Sequence, residues 1–166
     1  MKPLSIAVGL AGLYAFGYWK KGQDVELRYF KPSEFGVWWP QMDSNLLTGL
    51  DEFRHELGKP VSISPANGSL GRVGASNSYH NVAKHGKVMA ADVMFPWADA
   101  VDLKAIYEVA KSIKKFGGIG VYPHWQPYVG LHLDTRPISV HNPATWAGLD
   151  DYKGKQYYTS VENAFA

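Results

Sequence analysis

The sequence contains no cysteine. That removes disulfides and thiolate metal sites at once, so any transition-metal site must be built from His, Asp or Glu. It leaves the compartment open, because a cysteine-free chain suits any redox environment. A strong charge of either sign is missing as well. The formal balance over 166 residues is +2, too little to argue for nucleic acid as a partner. No internal repeat or low-complexity tract interrupts the chain. What is present is an apolar fraction of 46% and an aromatic fraction of 14%, enough for one domain with a real core. The aromatics suit a carbohydrate-lined groove and an ordinary core equally.

One apolar run stands apart. It reads PLSIAVGLAGLYAFGYW from Pro3 to Trp19, with Lys2 ahead and Lys20 and Lys21 behind. At about 1.5 Å per residue, a helix over residues 3–19 just spans a thin bilayer. Tyr18 and Trp19 beside a lysine pair suit a membrane–water interface. Three readings stay open: a membrane anchor, a cleaved signal peptide with Ala11 or Ala15 ahead of the cut, or a buried core helix. The expected organisation is an apolar anchor or signal segment over 1–21 and one folded domain over 22–166. The domain would then be membrane-anchored or exported to the cell envelope.

Further along, the pattern alternates between strand and helix. A short strand is expected around Glu26 to Phe30, a turn at Lys31-Pro32, and a helix start at PSEF with Ser33 as its cap. Apolar residues at 46, 47, 50, 53 and 57 have helical spacing. Asp43 or Ser44 can cap that helix, and Gly58 can end it. PVSIS (60–64) reads as a buried strand. A Gly/Ser/Asn loop follows, long enough to suggest function. KVMAADVMF reads as a second strand. Leu103, Ile106, Tyr107, Ala110 and Ile113 form the stripe of a second helix, stopped by Gly117 and Gly118. IGVY and VGLHLDTR form a strand pair across the turn PHWQP. The tail, 137–166, shows only weak periodicity.

Polar residues break these strands in a suggestive way. Asp92 sits inside an apolar strand, where a carboxylate needs a cation or a metal beside it. His80 closes the glycine-rich loop. His132 and Asp134 lie two apart on one strand and share a face. His, Asp and Glu triplets of this kind hold zinc and leave a fourth position for water. Each residue also has a plain structural reading. His80 can bond backbone, Asp92 can pair with Arg72 or Arg136, and His132 can be a satisfied core histidine.

SYHNVAKHGKVMAADVM, followed by GGIGVYPHWQPYVGLHLDTRP, resembles the zinc peptidases of the D-Ala-D-Ala carboxypeptidase and L-Ala-D-Glu peptidase type, in particular their phage and prophage branch. The likeness runs over roughly residues 28–165. It implies an α+β domain with a small, mainly antiparallel sheet, packed helices and one zinc ion. The implied partner is a peptidoglycan stem peptide, and the implied setting is the cell envelope or a virion. His80, Asp92 and His132 match the ligand positions, with His85 as the alternative first ligand because it fits the family's shorter His–Asp spacing. Many members carry an acid three residues before the last ligand, where this chain has Val129. Asp134 is the nearest substitute for the general base, or else it orients a ligand from behind. Arg72 resembles the family arginine that binds a substrate carboxylate or polarises the scissile carbonyl. Ser78, His124, Trp125 and Arg136 are candidates for contacting substrate. A protein without that acid could also be an inactive wall-binding module on the same fold.

Overall fold

The computed structural model describes residues 25–74, 77–137 and 143–166. The apolar segment over 3–19, expected as an N-terminal helix, lies outside them. Among the described residues no helix is long and apolar enough to cross a membrane.

The domain is α+β, with helices on one face of a mixed six-stranded sheet. The expected strand at Glu26 to Phe30 does not form. Instead, the backbone N–H groups of Arg28, Tyr29 and Phe30 donate to the Asp51 carboxylate at 3.0, 2.8 and 2.9 Å. A helix side chain satisfies the donors that a neighbouring strand would otherwise take. Pro32–Gln41 forms a 3₁₀ segment broken at Gly36 (φ 52°, ψ −135°). Ser33 is not its cap. Lys31 occupies that place without a side-chain bond, and Pro32 opens the first turn.

Helix α1 covers Ser44–Leu57. Its cap is Asp43, whose carboxylate accepts the Leu46 N–H at 3.0 Å. Gly58 ends it in the left-handed region at φ 62°. Leu46, Leu47, Leu50 and Phe53 are fully buried. Strand β1 is only Ser62–Ile63, shorter than expected and half-buried. A short helix α2, Val82–His85, precedes β2, Ala90–Met94. Helix α3 runs over Leu103–Ser112 and buries Leu103, Ile106, Tyr107 and Ala110. It stops before the glycines: Ile113 is already extended. Gly117 and Gly118 serve the sheet instead, since a Cβ at Gly117 would lie 2.0 Å from the Arg136 carbonyl oxygen.

The expected hairpin forms as β3, Gly118–Tyr122, and β4, Gly130–Asp134. The weakly periodic tail holds two further strands, β5 (Ala144–Asp150) and β6 (Gln156–Thr159). The strand order is β1-β2-β4-β3-β5-β6. The sheet is antiparallel except where β5 joins β3 in parallel.

Alternation then divides the two faces. Ala91, Val93, Ile119, Val121, Leu131 and Leu133 join α1 and α3 in one hydrophobic cluster. Asp92, Gly120, Tyr122, His132 and Asp134 take the other positions. One row runs straight across four strands: Asp92 pairs with His132, His132 with Gly120, and Gly120 with Trp146.

Candidate metal centre

His80, Asp92 and His132 meet over the middle of the sheet, where β2 and β4 pair. All three are buried. His80 Nε2 lies 3.1 Å from His132 Nδ1 and 3.2 Å from Asp92 Oδ1. His132 Nδ1 lies 2.9 Å from that same oxygen.

The outer hydrogen bonds decide what these atoms carry. His80 Nδ1 sits 2.8 Å from the carbonyl oxygen of Leu70. A carbonyl only accepts, so Nδ1 holds the proton and Nε2 presents a lone pair. His132 Nε2 sits 3.0 Å from Asp134 Oδ2. By the same logic, in neutral His132 the proton is on Nε2 and Nδ1 presents a lone pair. With both imidazoles neutral, three acceptors therefore converge within about 3 Å of one another with no proton between them. That arrangement calls for a positive charge at its centre.

The donor set fits a metal ion. A tetrahedral zinc about 2.0–2.1 Å from its ligands holds donor atoms about 3.3 Å apart, close to the observed triangle. Each ligand is also braced from behind, His80 by a backbone carbonyl and His132 by a carboxylate, as metal-bound histidines are. Without a metal, a proton is the competing cation. Burial alone would depress the His132 imidazole, but hydrogen bonds with Asp134 and Asp92 outweigh it and raise its pKa. Burial would likewise push Asp92 up, yet its bonds to His132 and His80 hold it at about 2.

Asp134 lies behind the site, not in it. It is fully buried, and Arg136 Nε donates to its Oδ1 at 2.8 Å. Burial raises its pKa, and the bonds to His132 and Arg136 more than reverse this, to about 2. The geometry matches the orienting role and keeps Asp134 away from the open side of the triad. Two glycines of β3 make room for this arrangement. A Cβ at Gly118 would lie 2.4 Å from Asp134 Oδ2, and one at Gly120 2.6 Å from the Trp146 indole.

A cavity of about 730 Å³ opens over the triad. Arg72, Ser78, Trp125 and Arg136 line it. Arg72 reaches within 3.6 Å of Asp92 Oδ2 while its Nε donates to the Gly68 carbonyl at 2.8 Å. Ser78 Oγ also accepts from the His80 N–H at 3.3 Å. Arg136 lies over the Tyr79 and Trp146 rings, 4.8 and 5.1 Å from their centroids. His124 does not line the cavity; its Nδ1 accepts the Asp150 N–H at 3.0 Å. His85 stays outside the triad, stacked on Tyr79 at 4.7 Å.

Tyr122, Trp146 and Tyr158 also line the cavity and were not singled out from sequence. For Trp146 the available signal was Gly120 of GGIGVY, and for Tyr122 it was Gly148. Among the described lining residues, Asp92 is the sole carboxylate, and His80 and His132 are the sole imidazoles. Protein-family models, curated proteins and solved structures give no match to this chain.

Proposed function

We propose that this chain is a zinc-dependent peptidase that hydrolyses an amide bond in the stem peptide of peptidoglycan. The observation that carries the proposal is the convergence of three lone pairs, from His80, Asp92 and His132, at the floor of an open cavity. The resemblance of the SYH, AAD and HLD segments to the D-Ala-D-Ala peptidase type supports zinc and a wall peptide over other choices.

Zinc bound there would lower the pKa of its water and polarise the scissile carbonyl. The chain's own groups do the rest. Arg72 offers a guanidinium beside Asp92 for a substrate carboxylate or the developing oxyanion. The Tyr122 hydroxyl accepts from Trp146 Nε1 at 3.0 Å. Burial drives its pKa above the usual phenol value, so it keeps its proton at neutral pH and remains a donor. Asp134 and Arg136 hold the His132 ring so that Nδ1 faces inward.

A second reading is a wall-binding protein without catalysis. It is favoured by Val129 at the position of the family acid and by the absence of a further carboxylate among the described cavity residues. The deciding experiment uses the full chain in mild detergent. Elemental analysis should find about one zinc per chain, kept in His85→Ala and lost in folded His80→Ala, Asp92→Ala and His132→Ala. Purified peptidoglycan should release new amines with wild type only when zinc is present. Zinc without amine release selects the binding module; a folded wild type without zinc removes the hydrolase.

A further inference from the structure

Away from the triad the cavity wall is aromatic. Trp125 lies flat on Tyr122, with ring centroids 4.0 Å apart and 15° between planes. Two glycines seat this pair. A Cβ at Gly148 would lie 2.2 Å from the Tyr122 ring, and one at Gly130 would lie 2.7 Å from the Trp125 indole. Tyr158 extends the wall and is 67% exposed. Gln156 Nε2 donates to the Tyr158 hydroxyl at 3.1 Å.

The polar group that bonds to these rings is neutral, the Gln156 amide, and two further amides, Asn67 and Asn77, line the same cavity. The charged lining residues are engaged nearer the triad, Arg136 with Asp134 and Arg72 with Gly68 and Asp92. Fixed aromatic faces cover the C–H face of a ring at low entropic cost, and neutral amides exchange hydrogen bonds with hydroxyls. An apolar side chain in the same place would offer these amides no further hydrogen bond.

We propose that this wall is a saccharide subsite, holding an N-acetylated pyranose of the glycan strand while the attached peptide reaches the triad. The identity of the sugar rests on the wall-peptide reading; binding itself does not require the metal. The cavity is within the range of ligand sites that hold a molecule of this size.

The test titrates the metal-stripped full chain with the N-acetylglucosamine tetramer, followed by tryptophan fluorescence and calorimetry. Binding should persist without metal and weaken about tenfold or more in Trp125→Ala. Tyr158→Ala, altered at an exposed edge-strand position, should weaken it too and guards against misfolding of the first variant. No binding by wild type, or equal binding by both variants, overturns the subsite. So does Trp125-dependent binding of a sugar-free stem peptide without binding of the tetramer, which would make the wall a peptide platform. Zinc uptake without saccharide binding removes this proposal and leaves the hydrolase standing; saccharide binding without zinc uptake does the reverse.

Discussion

Strands β2, β3 and β4 are buried along their whole length, yet the two faces of the sheet centre are built from opposite materials, one packed under helices and the other forming the floor of the cavity. The helix-facing side holds Ala91, Val93, Ile119, Val121, Leu131 and Leu133, all with 0% exposure. The other side holds Asp92, His132 and Asp134, with Gly118 and Gly120 between them and β5. The first face gains stability from area removed from water. The second has to offset the cost of buried charge, and it does so by pairing every ionised group and leaving a place for one more cation. Its glycines are the counterpart of the other side's branched residues. They give up packing so that Trp146, Asp134 and Arg136 can come close.

The contrast is tested hardest at Leu133. Leu133→Ala should cost about 2–5 kcal/mol in urea unfolding while zinc stoichiometry stays unchanged. A folded Leu133→Ala protein that no longer took up zinc would erase the distinction between the faces. On the other side, Gly120→Ala places a methyl 2.6 Å from the Trp146 indole. It should destabilise by about 1–3 kcal/mol and shift tryptophan emission as the indole moves. A silent substitution would show that β3 does not seat Trp146.

Acid provides the mildest probe. Burial pushes Asp134 up, but its bonds to His132 and Arg136 hold it at about 2, below the usual carboxylate range. A depressed carboxylate contributes stability above its unfolded pKa and loses it as pH falls through the folded one. For this fully buried group the loss should amount to roughly 2 kcal/mol between about pH 5 and pH 2 in metal-stripped protein. Urea midpoints should fall over that window and flatten in Asp134→Asn. An unchanged slope in Asp134→Asn would assign the acid sensitivity elsewhere.

Helices α1 and α3 were legible because a 3.6-residue stripe and local caps need no distant partner. The β3–β4 hairpin was legible for a similar reason: its halves are neighbours in sequence. His80, Asp92 and His132 stood out because polar residues inside apolar strands need explaining. Strands β5 and β6 did not show. Ala144 and Thr145 are exposed while Ala147, Gly148 and Leu149 are buried, a pattern that does not alternate and so carries no strand signal. The strand expected at Glu26 to Phe30 failed because Asp51, more than twenty positions away, takes its donors. Spacing alone put Asp134 on the face of His132. Only the ring orientation shows that it stands behind the imidazole, with Arg136 bonded to it.

The Asp51 carboxylate that gathers the Arg28, Tyr29 and Phe30 amides has a consequence for presentation. It fastens the entering chain to α1, in the helix layer, while the cavity opens through the opposite face of the sheet. The described chain therefore begins on the helix side, at the back of the domain. The cavity mouth looks the other way, so a ligand can reach the triad without passing the segment at Arg28 to Phe30.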